Sequence, residues 1–381
     1  MALRRLGFDW EVTGFGDPIT ALGAVKTAKP DAVLTDQMMP VMEGCQLLEE
    51  VRIISPATIR LIMSGCVALD RLSSITSAHQ YIAKPFDLNK VRDLIQRSFV
   101  ARERIANQGL QVVTSLRAIP SLRQTHHSLL EELKNSDAAG TRIAFLISQD
   151  PGLSIKVLQL ANSCLFGPGG LITDLVEAVN CLGSEMIAAV VLSQSMFRHY
   201  ESLRHRDIDL ARVWAHCWET AGLAQRLCRE KRLPHKTCEE AFLAGLLHEV
   251  GRFVILDNFP NRFQKACDCS RETHASLAAS LRETLQVTPA QMSAYVLELW
   301  GLPLSVINSI SLMDTPEQDA AAGFSMTSAL YIADHLASKT HAPDSFDLED
   351  WKAAYLQSIG CERDIAVWEE RCTQTENLAC G

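Results

Sequence analysis

Long apolar runs are missing from this chain. The longest, Met186 to Leu192, falls far short of the roughly 20 residues a bilayer-spanning helix needs, and no apolar signal core opens the sequence. A membrane partner is therefore not expected, and a cytoplasmic location is. A concentrated basic face is missing too: the formal charge is -9, so phosphate contacts do not hold this chain to nucleic acid. Cysteines number twelve but are scattered through apolar helical stretches (Cys164, Cys181, Cys217, Cys228), which reads as reduced, mostly buried thiols rather than a disulfide framework. Cys267 and Cys269 form a lone CxC with no second pair nearby, so they read as ordinary surface thiols rather than a zinc site. A phosphate-cradling loop is also lacking, because Gly167-Pro168-Gly169-Gly170 has no following Lys and Ser/Thr and reads as a turn. What is present is a globular composition, 47% hydrophobic and 21% charged, over 381 residues, a length that exceeds one ordinary core and implies two domains.

The first hundred residues alternate short apolar runs with helical stretches. Strands are expected at Trp10 to Thr13, Ala32 to Thr35, Ile59 to Met63 and Tyr81 to Ala83. Helices are expected at Pro18 to Thr27, which opens with Pro, at Gly44 to Ile53, and after Asp87 as a cap. Such alternation makes a parallel sheet covered on both faces, with its chemistry beyond the carboxyl ends of the strands. Asp36, Ser64 and Lys84 each close one strand there. A carboxylate, a hydroxyl and an ammonium in one crevice suit a carboxylate that accepts a phosphoryl group, because the cation and hydroxyl neutralise the new oxygens.

The segments Thr35-Asp36-Gln37-Met38-Met39-Pro40 with Gly44, Met63-Ser64-Gly65, and Tyr81 to Phe86 resemble the response-regulator receiver family over residues 1 to 100. The resemblance implies a flavodoxin-like α/β fold, Asp36 as phosphoacceptor, Ser64 and Tyr81 as the switch pair, and Lys84 as the phosphate contact. It also implies a sensor histidine kinase or phosphotransfer protein as partner. Receivers begin with a central strand carrying an acidic pair that binds magnesium. Met1 to Gly7 reads instead as the end of the first helix, so the sheet is expected to be incomplete and magnesium to act only if that pair lies upstream.

The helix after Asp87 is expected to run through Arg104 and to break at Asn107, Gln108 and Gly109, giving a helical linker over residues 101 to 111. Beyond it, helical spacing dominates, as in Leu153, Val157, Leu160 and Ala161, and Thr173 and Asp174 with Glu177 read as a helix start. Ile147 to Gly167, Ile172 to Gly183, Phe242 to Arg252 (FLAGLLHEVGR), Leu299 to Pro303 and Leu330 to Ala337 resemble the HDOD domain, a signalling branch of the HD phosphohydrolase superfamily. The expected arrangement is an all-α HD-like domain over 112 to 310, completed by a helical extension over 311 to 381.

Active HD relatives hold divalent metals on a first His, a His-Asp doublet and a late Asp. By the resemblance, His216, the doublet His248 and Glu249, and Asp334 occupy these places, with Glu where the doublet has Asp and Arg252 where a Lys is usual. The further histidines of a two-metal centre fall near Thr288 and Pro289 and near Met313 and Asp314, none of them an imidazole. His216 and His248 therefore read as core histidines bonded to Glu249 and Asp334, with no metal and no catalytic residue expected. His126, His127 and His205 read as surface residues. The resulting expectation is a two-component response regulator whose non-catalytic HDOD module binds a protein partner. The alternative is a metal-dependent phosphohydrolase acting on a nucleotide or cyclic dinucleotide.

Overall fold

The computed structural model describes residues 10–64, 78–84, 88–107, 119–121, 123–133, 139–164, 171–192, 197–199, 209–321, 323–341 and 351–379. The chain forms two compact units, one of Met1–His199 with Tyr295–Pro303, the other of Tyr200–Ala294 with Leu304–Gly381.

In the first unit, β1 (Ala32–Asp36), β2 (Ile59–Ser64) and β3 (Gln80–Ala83) form a parallel sheet in the order β1-β2-β3. Asp36 lies opposite Met63, and Ser64 opposite Ala83. Ile59, Leu61 and Ile82 fill the core with Val91 and Ile95, while Arg60 and Gln80 are buried polar residues of the same strands. Helix α1 (Pro18–Ala28) starts at Asp17, whose carboxylate accepts the Thr20 amide at 2.7 Å. Helix α2 (Gly44–Ile54) packs so close to β1 that a Cβ on Gly44 would lie 2.2 Å from the Asp36 carbonyl oxygen. Only glycine fits there. Helix α3 (Leu88–Asn107) runs through Arg104 as expected and includes Asn107, while the expected breakers Gln108 and Gly109 lie outside the described residues. Gly65, Pro85, Phe86 and the proposed cap Asp87 lie outside the described residues.

Trp10 to Thr13 does not pair as a strand. Its indole instead meets Phe99 edge-on at 5.7 Å and packs on the sheet core. Apolar alternation marks burial, whereas a strand also needs a neighbour for its backbone, and sequence does not show that neighbour.

The same unit carries α4 (Arg123–Leu133), α5 (Gly140–Ser148), α6 (Pro151–Cys164) and α7 (Leu175–Leu192). Leu153, Val157, Leu160 and Ala161 are all buried along α6, and Asp174 caps α7 by accepting the Glu177 amide at 2.7 Å. Two three-residue strands, β4 (Ile119–Ser121) and β5 (Phe197–His199), pair in parallel within this otherwise helical region. They are too short for any alternation to stand out. His126 is buried rather than on the surface, while His127 is exposed and His205 lies outside the described residues. Polar side chains tie sheet and helices together: Gln159 donates to the His79 carbonyl at 2.8 Å, Gln80 to Ser98 Oγ at 3.1 Å and the Leu299 carbonyl at 3.0 Å, and Arg97 to the Leu302 carbonyl at 2.7 Å.

The second unit is helical: α8 (Leu210–Glu230), α9 (His235–Leu247), α10 (Val250–Asn258), α11 (Pro260–Thr273), α12 (Leu277–Leu285), the start of α13 (Pro289–Leu299), α14 (Leu304–Leu312), α15 (Met326–His341), α16 (Ala353–Ser358) and α17 (Glu362–Ala379). Helices α8 and α9 touch backbone to backbone, for a Cβ on Gly245 would sit 2.5 Å from Ala221 Cα. Helices α16 and α17 add Tyr355, Ile365 and Trp368 to a core shared with Leu227, Ile332 and Leu336. Each such buried apolar side chain contributes about 1.5 to 3 kcal/mol. Cys217, Cys228, Cys238, Cys361 and Cys372 are buried free thiols; so is Cys267, against the surface reading, because it faces the inner side of α11. Among the described residues no helix is long and apolar enough to cross a membrane.

Candidate functional site

The sheet brings Asp36, Ser64 and Lys84 to one edge. The Lys84 ammonium donates to Asp36 Oδ2, and the Lys84 amide donates to the Ser64 carbonyl at 2.8 Å, which holds the ends of β2 and β3 together. The Met38 amide reaches Asp36 Oδ1 at 3.3 Å. Both side chains of the Asp36–Lys84 pair are 36% exposed, so a reactant in solvent can reach the carboxylate. Tyr81 is turned inward, and burial pushes its hydroxyl pKa well up.

The loop after Asp36 is strained. Met42 donates to the Pro40 carbonyl at 2.8 Å around Val41, whose φ is 72°. A β-branched residue seldom adopts such a turn. The loop also leaves Met38 and Val41 exposed. Glu43 is committed to the start of α2, where it and Gln46 form a reciprocal cap.

In the second unit, α8 supplies His216, the junction of α9 and α10 supplies His248 and Glu249, and α15 supplies Asp334. These helices bring together residues up to 118 positions apart. His216 Nε2 lies 3.0 Å from Asp334 Oδ1, His248 Nε2 lies 3.2 Å from the same oxygen, and the two Nε2 atoms are 3.2 Å apart. His248 Nδ1 donates to the Gly245 carbonyl at 2.6 Å, which sets Nε2 toward Asp334. Ser293 steadies the turn, accepting the Gly251 amide at 2.7 Å and donating to the His248 carbonyl.

Glu249 does not join the imidazoles, contrary to the expected pairing. Its nearest approach to His248 Nε2 is 3.9 Å, while Arg252 grips it with Nε at 2.5 Å and a terminal nitrogen at 3.0 Å. A guanidinium three residues along the same helical turn offers two donors that match a carboxylate's two oxygens.

The electrostatics follow from this division. Burial alone would lower the His248 pKa, but the Asp334 carboxylate, Glu249 and the Gly245 carbonyl outweigh it and leave the imidazole above its ordinary value. Burial alone would raise Asp334; the hydrogen bonds from His216 and His248 hold it well below the carboxylate range instead. Glu249 is likewise lowered, against the effect of burial, chiefly by Arg252 and then His248.

Three donor atoms with edges of 3.0, 3.2 and 3.2 Å fit one face around a small divalent ion, since bonds of about 2.1 Å give ligand separations of about 3.0 Å in an octahedron and 3.4 Å in a tetrahedron. His216, His248 and Asp334 therefore suit a single ion, and Glu249 as placed does not contribute. The surrounding pocket is small, with a cavity volume of about 60 Å³. Pro289, Met313 and Asp314 line it where a second ion's histidines would stand.

His335 was missed in the sequence. It lines the same pocket, stacks on Trp351 with ring centroids 4.8 Å apart, and lies 3.1 Å through Nδ1 from the Tyr331 carbonyl. Its position next to Asp334 was a usable signal, obscured because one helix usually turns neighbouring residues to different faces.

A parallel sheet with an aspartate, a serine and a lysine at its edge, followed by helices carrying a His-His-Asp cluster, defines a response regulator with a helical output module. Family models agree: the response regulator receiver domain matches residues 1–96 and the HDOD domain matches residues 119–316. The chain belongs to the HDOD family, which is related to the HD phosphohydrolases, and carries a receiver domain ahead of it.

An uncharacterized protein of Treponema pallidum (strain Nichols) is 24% identical over 233 residues, 60% of this chain and 44% of that one. Sporulation initiation phosphotransferase F of Bacillus subtilis (strain 168) is 32% identical over 81 residues, 21% of this chain and 65% of that one. The chain thus spans less than two thirds of the length of either relative. The solved MmoQ response regulator of Methylococcus capsulatus is 22% identical, with a TM-score of 0.50 over 66% of this chain and 98% of that one, a likeness of fold.

Proposed function

We propose that this response regulator accepts a phosphoryl group on Asp36 and passes that state to a protein partner through an HDOD module that does no chemistry of its own. The observation that carries the first half is the half-exposed Asp36–Lys84 pair at the ends of β1 and β3, with Ser64 between them. A carboxylate oxygen of Asp36 attacks phosphorus, the donor's leaving group departs, and the Lys84 ammonium shifts from the carboxylate to the incoming phosphoryl oxygens. The donor class is a histidine kinase or phosphotransfer protein. Magnesium would need more oxygen ligands than Asp36 alone.

The second half rests on Glu249, which is committed to Arg252 and so withheld from the imidazoles. Native mass spectrometry with magnesium and a small acyl-phosphate donor tests both halves. Uptake of one phosphoryl group, lost in Asp36→Asn, is expected. No uptake, or phosphodiester turnover with magnesium, manganese or nickel that His248→Ala abolishes, sinks the corresponding half.

The His216–His248–Asp334 face favours a second reading, a single-metal phosphohydrolase acting on a nucleotide or cyclic dinucleotide. A bound ion would supply an activated water there. Metal retained stoichiometrically through purification and lost in His216→Ala supports it.

A further inference from the structure

Glu249 and Arg252 are only 7% and 4% exposed, yet both line the pocket that holds the imidazoles. The carboxylate is close to the donor set: His216, His248 and Glu249 each bring a ligand atom within 4.8 Å of the other two. A modest rotation of the Glu249 side chain would deliver its Oε1, now 3.9 Å from His248 Nε2, to an ion seated between the histidines. Arg252 opposes that rotation with two hydrogen bonds, and its own amide is bonded to the Glu249 carbonyl at 3.0 Å, so the guanidinium stays beside its carboxylate.

A guanidinium and a divalent cation compete for the same carboxylate lone pairs. The tethered one has the advantage of an intramolecular contact. Formal charge points the same way: an ion of charge two beside Asp334, Glu249 and Arg252 leaves one excess positive charge in a largely buried site, whereas without Arg252 the two carboxylates neutralise it. Excess buried charge of that kind is strongly disfavoured.

We infer that Arg252 is the resident cation of this centre, a specificity-determining residue that keeps divalent metal out by withholding Glu249. This deepens the non-catalytic reading above and rests on it. It also assigns the Glu in the doublet a purpose: its extra methylene lets the carboxylate reach the guanidinium one helical turn along.

Manganese is the probe, with the full chain and two readouts: ion retained after desalting, and the shift in unfolding temperature with added manganese. The wild type retains none and shows no shift. Arg252→Lys keeps the charge and the fold but replaces the two-point grip by a single ammonium, and it gains manganese affinity by on the order of 10-fold. Arg252→Met gains on the order of 100-fold and is thermally stabilised by the ion. Adding Glu249→Gln to either variant removes the gain. If both single variants stay as metal-free as the wild type while circular dichroism shows them folded, the inference falls and the non-catalytic reading stands. If the wild type itself holds one manganese through His216 and His248, the inference falls, and turnover accompanying that ion takes the non-catalytic reading with it. Should Arg252→Met fail to fold, the lysine variant alone decides.

Discussion

Each module carries one ion pair next to its candidate chemistry, and the two differ in solvent access. Asp36–Lys84 has both side chains 36% exposed; in Glu249–Arg252 they are 9% and 5% exposed. Water screens the first pair and competes for its hydrogen bonds, so it opens at little cost. Burial strips most solvent from the second, so breaking it costs more and the carboxylate stays with Arg252. A carboxylate–cation pair is thus solvent-accessible in one module and largely buried in the other.

The sharpest way to break that contrast is to delete each cation. Arg252→Ala leaves Glu249 buried and unpaired and lowers stability by roughly 3 to 5 kcal/mol, whereas Lys84→Ala changes it by about 0 to 1 kcal/mol; urea titration of the two variants measures both. Equal losses would remove the distinction.

The buried cluster also predicts a pH profile. Asp334 and Glu249 have lowered pKa values, so their contribution is complete above the ordinary carboxylate range and is lost as pH falls through their folded values. His248 has a raised value, so its contribution is complete below the ordinary histidine value of 6.5 and is lost as pH rises through the folded value. Unfolding temperature against pH should therefore decline on both sides, and Asp334→Asn should flatten both limbs.

Smaller effects are expected in the first unit. Gln80→Leu strands the Leu299 carbonyl and costs about 1 to 3 kcal/mol, read from the denaturant midpoint. Val41→Gly relieves the positive φ beside Asp36 and raises stability by about 1 kcal/mol; a loss would mean that the valine side chain contributes more than its backbone strain removes.

Much of the fold was legible because it is locally encoded. Apolar runs closed by Asp36, Ser64 and Lys84 marked the strands, and Asp174 marked a helix start. Trp10 to Thr13 misled because alternation reports burial and not pairing, and β4 and β5 escaped because three residues carry no period. In the candidate site, His216, His248 and Asp334 were legible through spaced motifs. The turning of Glu249 toward Arg252 was not, since i,i+3 spacing permits that contact without deciding between it and an imidazole on another helix.

The order of the modules and the strand ends at Asp36, Ser64 and Lys84 were determined by the sequence itself, because each depends on neighbours within a few positions. Tertiary structure alone decided that one carboxylate, Asp334, receives both histidines while the other, Glu249, is taken by a guanidinium. That outcome depends on distances between helices brought together across more than a hundred residues, and only the packed core sets them.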